Sequence, residues 1–423
     1  MKKYMPRVAD GILADRLESK GAVLIEGPKW CGKTTTARQM AKSVIEMDRP
    51  DMTGQYQQLA QLAPSMLLEG EAPHLIDEWQ IAKPLWNAVR YEVDRRDEFG
   101  QFILTGSAVP PAFDESMHSG TGRISRMLMR PMSLYESGDS SGAVSLSALF
   151  AGESVTAADQ HTIQDLAYVI CRGGWPKSLG CSKKVALRQA IDYYDAVVSV
   201  DISRVDGVNR DPERAKRLLR SYARSIAAQT PIETIRADML ANDTETFSVD
   251  TLYSYLNVLR RLFVLEDAPA WNPNLRSKTA IRTSDTRYFT DPSIAAAALG
   301  IGPNDLISDL NTMGLIFENL CVRDLRVYAE ALDGVVYHYR DKTDLECDAV
   351  VHLRNGSYGL IEIKLGGDRL IEDGAATLKK LAAKIDTDRM KAPSFLMILS
   401  GVAPFAYQRQ DGVSVVPIFT LKP

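Results

Sequence analysis

Gly27-Pro-Lys-Trp-Cys-Gly32-Lys33-Thr34 fits the spacing GxxxxGK[ST] in full, and it restricts the fold more than any other stretch of the chain. The apolar run Ala22-Val-Leu-Ile-Glu26 precedes it, and a helix-like segment, Thr35 to Lys42, follows. A buried strand, a glycine-bearing turn and a helix in that order make a phosphate loop. Backbone N–H groups of such a loop curl around phosphate oxygens, and the helix N-terminus favours negative charge. Gly27, Pro28, Lys29, Trp30, Cys31, Gly32 and Thr35 are therefore expected to cradle ATP. Lys33 would reach the β/γ-phosphates and Thr34 would hold Mg²⁺.

The rest of the first third agrees with that demand. His74-Leu-Ile-Asp77 and Gln101-Phe-Ile-Leu104 read as buried strands, and Pro84 to Arg96 as an amphipathic helix, so a parallel α/β sheet is expected. The acidic pair Asp77-Glu78 ends one strand. Asp77 would hold Mg²⁺ through water and Glu78 would activate the attacking water, although a surface pair capping the next helix has the same sequence. Thr105-Gly106-Ser107 ends another strand; Ser107 could sense the γ-phosphate, and the same residues are ordinary strand-exit chemistry. Gly122-Arg123-Ile-Ser-Arg126 offers an arginine to the γ-phosphate, in cis or from a neighbouring subunit of a homo-oligomer. Arg123 is the first choice and Arg126 the second; a solvated basic pair is the alternative.

A second constellation lies near the C-terminus. Asp348 and Glu362-Ile-Lys364 sit on two strands joined by Arg354-Asn355-Gly356-Ser357, a D-x(n)-ExK pattern. Two carboxylates can hold a divalent metal, and a lysine can orient water toward a phosphodiester. Glu318, on a preceding helix, is a fourth candidate. Strand alternation supplies a geometric condition. A two-residue Asn355-Gly356 turn pairs 348 with 363 and separates the carboxylates, whereas an odd loop or a bulge pairs 348 with 362. An edge hairpin with charges facing solvent is the alternative.

Between these regions, Asp211-Pro212 opens a helix, and two more follow at Pro231–Leu240 and Val249–Arg261, then a strand–loop–strand pattern. That is the order of a winged helix. Arg204 to Arg236 carries eight basic and four acidic residues, and Arg260 to Arg287 six against three. Thr251, Ser254, Asn257 and Arg260 would face DNA, with the Arg276–Arg287 loop as wing. A helical connector with solvated arginines, or a protein-docking surface, is the more ordinary reading, because most amphipathic helices are simply that. Whole-chain charge narrows this: 50 Lys+Arg against 54 Asp+Glu excludes indiscriminate coating of nucleic acid. DNA contact is thus expected only locally, through residues 204–287 or the C-terminal region. No apolar run approaches the ~20 residues of a membrane span. No apolar stretch follows the basic N-terminus, and the five scattered cysteines form no CxxC. A cytoplasmic setting without membrane contact is expected.

Taken together, these stretches resemble the bacterial AAA-type ATP-binding proteins that carry a C-terminal domain of unknown function. The matching residues are GPKWCGKTT (27–35), LIDEWQ (75–80), ILTGSA (103–108), GRISRMLMRPMSLYES (122–137), CRGGWPKSL (171–179), YYDAVVSVDISRV (193–205), LLRSYARSIA (218–227), LIFENLCVRDLRVYAE (315–330) and ECDAVVHLRNGSYGLIEIKLG (346–366). The resemblance implies three domains: a P-loop ATPase at 1–140, a helical, winged-helix-like region at 141–310, and a restriction-endonuclease-like PD-(D/E)xK core at 311–423. The Gly/Ser cluster at 137–147 would be the linker. It assigns Lys33, Thr34, Asp77 and Glu78 to the ATP site and favours Arg123 as the arginine. It does not establish cleavage. A Mg²⁺-dependent ATPase whose nucleotide state drives the C-terminal half is expected. An ATP-gated DNase and a nucleotide-switched binding module stand as alternatives.

Overall fold

The computed structural model describes residues 3–106, 120–204, 207–241, 248–273 and 284–423. Ser107 and most of the Arg276–Arg287 loop lie outside the described residues.

Five strands form the first sheet: β1 (Ala22–Glu26), β2 (Ser43–Glu46), β3 (His74–Asp77), β4 (Phe102–Thr105) and β5 (Ile124–Leu128). All pair in parallel, in the order β2-β3-β4-β1-β5. The strands are apolar on both faces because helices cover both. Val23, Ile25, Leu75 and Ile103 pack against α1 (Val8–Ser19) and α2 (Lys33–Met40). Leu24, Ile76 and Leu104 pack against α3 (Thr53–Leu62) and α4 (Pro84–Arg96). The order inserts β4 between the phosphate-loop strand and the acidic strand, so the C-terminal ends of β1, β4 and β3 stand side by side.

Two of these strands were not legible beforehand. β2 is half-polar at the sheet edge, and β5 is the Ile-Ser-Arg-Met-Leu stretch, read above only for its arginines and given no element. The Gly/Ser cluster also differs from the expected linker. Ser140 Oγ donates to Leu421 O (2.7 Å), and β6 (Val144–Ser145) pairs in parallel with β14 (Leu421–Lys422) near the C-terminus. Serine hydroxyls satisfy the backbone there, so a polar composition is compatible with burial.

The middle helices are α5 (Leu146–Phe150), α6 (Ile163–Arg172), α7 (Lys183–Ala196), a short α8 (Ile202–Arg204), α9 (Pro212–Arg224), α10 (Ile232–Leu240), α11 (Val249–Arg261), α12 (Pro292–Leu299) and α13 (Pro303–Ser308). After α11 the chain makes two antiparallel bridges, Leu265 with Phe289 and Ala268 with Thr286. Three helices followed by an antiparallel ribbon is the order read from the sequence.

α14 (Leu310–Glu330) is buried on nearly every side, and its polar residues are paired accordingly. Asn319 bonds both backbone groups of Phe289, and Arg323 Nη1 meets Asp291 at 2.9 Å. Next come β8 (Gly334–Arg340), β9 (Glu346–Leu353), β10 (Tyr358–Lys364), α15 (Asp368–Lys384), β11 (Phe395–Ser400), β12 (Phe405–Gln408) and β13 (Ser414–Pro417). With β7 (Ala157–Ala158) they form a seven-stranded sheet, β7-β12-β13-β11-β10-β9-β8, flanked by α14 and α15. β6 and β7 thus tie residues 141–158 to the C-terminal part of the molecule.

Candidate functional site

The phosphate loop turns where only glycine fits. Gly27 has φ +147°, and a Cβ there would lie 2.1 Å from Met129 O. Gly32, at φ +105°, caps α2 and places Lys33 in its first turn. Lys33 is buried, and its Nζ donates to Gly27 O (2.9 Å) and Pro28 O (2.8 Å), inside the loop's own curl.

Parallel register brings the acidic strand to the same place. Asp77 pairs with Thr105 across β3–β4, and Thr105 with Ile25 across β4–β1. Thr34 Oγ1 donates to Asp77 Oδ1 (2.8 Å), and Thr105 Oγ1 donates to the same oxygen. The structure therefore brings Thr34 and Thr105 together on Asp77, one residue along α2 from Lys33. Thr34, Asp77 and Thr105 form an all-oxygen donor set, which suits Mg²⁺. Glu78, next to Asp77, adopts a left-handed backbone (φ +53°) and accepts from Gln80 Nε2.

Loop residues 29–31 reach beyond the first domain. Lys29 Nζ lies 2.5 Å from Asp201 Oδ1, and Trp30 meets Tyr193 edge-on at 5.7 Å. Cys31 Sγ is buried against Met129 O (3.3 Å). Arg7 braces the loop from the N-terminus, with Nη1 donating to Cys31 O (2.8 Å) and Nη2 to Arg130 O (2.8 Å). Its buried Nε pairs with Glu136 at 2.9 Å. Sequence reasoning missed Arg7, Glu136 and Asp201, because each acts at long range and none belongs to a local pattern. Thr35 is exposed one residue into the helix beyond Thr34.

Arg123 departs from its expected place. It precedes β5, whose first residue pairs with Ala22 at the start of β1, while Gly27 follows the end of β1. At ~3.3 Å per residue the length of a strand, roughly 15 Å, separates it from the loop. Its guanidinium pairs with Asp94 at 2.7 Å. Arg123 therefore does not serve the phosphate site of its own chain, because β5 runs parallel to β1. Arg126, midway along β5, lies 3.8 Å from Glu26 and over the Trp86 ring. Burial pushes the Glu26 carboxyl up, and Arg126 partly opposes that.

The C-terminal constellation meets its geometric condition. Leu353 N–H donates to Ser357 O (2.8 Å), closing a loop at 354–356 with Gly356 at φ +82°. The β9–β10 ladder runs from Tyr358–His352 to Ile361–Ala349, so 348 falls opposite 362. A register shift between Tyr337 and Tyr339 puts a bulge in β9 beside Asp348. Asp348 Oδ2 accepts from Ile363 N (2.7 Å) and lies 3.2 Å from Lys364 Nζ, which is 2.6 Å from Glu362. Tyr288 OH donates to Glu318 Oε1 (2.5 Å).

Burial, then the Asp348 charge, push Glu362 up to about 8 and Glu318 well above the usual carboxylate range. Burial works against the Lys364 ammonium, but Asp348 and Glu362 outweigh it and hold its pKa above the ordinary value. Lys364 is thus the cation between the two carboxylates. Among the described residues no three His, Cys, Asp or Glu side chains are grouped to hold a metal ion.

The helical ribbon region is largely self-paired. Arg260 and Arg287 both reach Asp267 at 3.0 Å, and Ser254 accepts from Arg210 at 2.9 Å. Of the expected DNA-facing set, Asn257 is exposed while Ser254 and Arg260 are engaged internally. No helix among the described residues is long and apolar enough to cross a membrane.

Comparison with known proteins divides the chain similarly. Residues 19–138 match the AAA domain family, 163–305 a domain of unknown function (DUF8612), and 313–421 another (DUF4143). An uncharacterized protein of Mycobacterium tuberculosis, Rv2008c, is 24% identical over 360 residues, covering 85% of this chain and 73% of its own. The Mycobacterium bovis protein Mb2031c matches to the same extent. Among solved structures, a Walker-type ATPase of Pyrococcus abyssi shares 16% identity, covering 70% of this chain and 96% of its own, at a TM-score of 0.42. The Aeropyrum pernix ORC2 protein shares 13%, covering 73% and 96%, at 0.33. Those scores are low, so the fold assignment rests on sheet order, loop geometry and the AAA match. The chain carries an AAA-type P-loop ATPase domain, with additional domains after it.

Proposed function

We propose that ATP bound at Lys33, Thr34 and Asp77 is hydrolysed with Glu78 as base, and that nucleotide state is transmitted to the C-terminal half. Mg²⁺, held by Thr34 and Asp77, would neutralise charge on the β/γ-phosphate oxygens. Lys33 exchanges its loop carbonyl partners for phosphate oxygens, and α2 directs its N-terminal N–H groups at the same charge. Glu78 accepts the proton of the attacking water, with Gln80 fixing its carboxylate. Arg123, if it acts at all, acts on a neighbouring subunit's nucleotide.

The observation that carries transmission is a continuous set of contacts leading away from the loop. Trp30 meets Tyr193, Tyr193 stacks on Trp175 at 4.2 Å, and Trp175 Nε1 donates to Ser293 Oγ (3.0 Å). Ser293 bonds Asp291, which pairs with Arg323 on α14. α14 also carries Glu318, beside Asp348. A packed path of this kind supports coupling only when both ends bias one equilibrium. Hydrogen exchange across residues 310–330, with and without a non-hydrolysable ATP analogue and Mg²⁺, tests it. Altered protection is expected, and unchanged protection contradicts the proposal.

A second reading, an ATP-gated metal-dependent DNase, is favoured by the odd loop that sets Asp348 opposite Glu362 and beside Lys364. The Lys364 ammonium between the carboxylates weighs against it. Nicking of supercoiled DNA with Mn²⁺ that disappears in Asp348→Ala and Lys364→Ala chains would support the DNase. Absence of nicking leaves the switched module, holding DNA or a protein partner without cutting.

A further inference from the structure

Where the three parts of the chain meet, a cavity of about 360 Å³ opens beside the outer edge of β5. Its wall is unusually rich in guanidinium groups. Arg16 and Arg130 come from the ATPase domain, Arg326 from α14, and Arg354 from the β9–β10 loop. Volume and position suit a small ligand, since interdomain clefts of this size commonly hold one.

The charges on the wall are unevenly matched. Arg130 is fully engaged, bidentate with Glu266 (3.0 and 2.7 Å) and 2.9 Å from Glu330. Glu330 also takes Arg16 at 3.3 Å. Asp267, on the same wall, is committed to Arg260 and Arg287. Arg326 is less fully matched, and its guanidinium lies over the Tyr288 ring at 5.8 Å. Its side chain is 6% exposed, and its one hydrogen bond among the described residues runs from Nη1 to Glu266 O (2.8 Å). The Glu266 carboxylate is 3.6 Å away and already shared with Arg130. Nε and Nη2 of Arg326 have no hydrogen-bond partner among the described residues. Arg354 is exposed and its guanidinium likewise makes no ion pair or hydrogen bond among them.

A largely buried guanidinium that lines a cavity can give its remaining donors to the oxygens of an anion there. Burial does push the Arg326 pKa below its ordinary value, with Glu266 opposing and Arg130 adding to the push. Planar N–H forks match the oxygens of phosphate in pairs, better than a point charge does. Asp333, whose backbone carbonyl accepts from Arg354 N (3.1 Å), lies on the same wall; its carboxylate repels a bare anion and can accept from a hydroxyl or amine on the same ligand.

We propose that this interdomain cavity binds a small phosphate-bearing metabolite, its phosphate held by Arg326 and Arg354. The site is separate from the phosphate loop and needs no nucleotide hydrolysis. Because its wall is drawn from all three parts of the chain, occupancy would hold them in this mutual arrangement.

The test is calorimetric titration of inorganic pyrophosphate into the full chain carrying Lys33→Ala, which removes anion capture by the phosphate loop. Saturable binding at one site is expected. Adding Arg354→Ala, an exposed change that leaves the core untouched, should weaken it at least tenfold. Adding Asp333→Asn should tighten it by removing repulsion. Wild-type chain saturated with a non-hydrolysable ATP analogue and Mg²⁺ should give the same pattern, which covers failure of the Lys33 variant to fold. Absence of saturable binding in both backgrounds overturns the proposal, as does an affinity indifferent to Arg354→Ala.

Discussion

Glu362→Gln should change how the stability of the protein depends on pH, in a direction the cluster geometry dictates. In the unfolded chain Glu362 titrates near the ordinary glutamate value, while burial and Asp348 push it up to about 8 in the fold. Folding therefore takes up a proton between those two values. A carboxyl whose folded pKa is raised contributes its full stability below the unfolded value and loses it as pH rises through about 8. One pH unit of such uptake is worth about 1.4 kcal/mol, and the shift to about 8 already includes the opposing pull of the Lys364 ammonium at 2.6 Å. From pH 5 to pH 8 the loss is therefore at most about 4 kcal/mol. Glutamine has the same shape and no charge to lose. The variant's melting temperature relative to wild type should therefore rise steadily from pH 5 to pH 8, by up to roughly 8–16 °C at about 2–4 °C per kcal/mol. The assay is a series of thermal melts on both chains, without divalent metal. A difference that stays flat over that range would refute the burial and charge argument. Repeating the series with Mn²⁺ adds a test of the DNase reading, since a bound cation would hold Glu362 ionised and flatten the wild-type curve.

Three further outcomes follow from the ATP site and its surroundings. Glu78→Gln should keep ATP affinity and lower turnover by about 10²–10⁴-fold, measured as phosphate release against nucleotide binding. Lys29→Ala and Asp201→Ala should each destabilise the protein, and a double-mutant cycle by urea unfolding should return about 1–2 kcal/mol of coupling. That value lies between an exposed pair and a buried one, because Lys29 is 38% and Asp201 9% exposed in their side chains. Arg123→Ala should leave turnover unchanged wherever light scattering shows the chain to be monomeric, since Asp94 and the far end of the sheet hold that guanidinium away from the loop.

What the sequence disclosed and what it hid divide along physical lines. The phosphate loop was legible because its chemistry needs residue types at fixed spacing within one turn. The Asp348–Glu362 pairing could be framed as a parity question, because strand side chains alternate, and the loop at 354–356 answered it. β5 was missed because Ile-Ser-Arg-Met-Leu carries only a weak apolar pattern, and its strand character comes from pairing with β1. Without that strand Arg123 was expected at the γ-phosphate. The 137–147 stretch was taken for a linker on composition, which cannot show a serine bonding a strand 281 residues later. Arg7, Asp201 and Arg326 matter through partners distant in sequence, and no local pattern announces such pairs.

The central claim is that the Lys33–Thr34–Asp77 arrangement is an ATP-hydrolysing site. Steady-state phosphate release from ATP with Mg²⁺, compared between wild type and Lys33→Ala, tests it most directly. The account predicts measurable wild-type hydrolysis and a loss of at least a hundredfold in the variant. Equal rates in the two chains would contradict it.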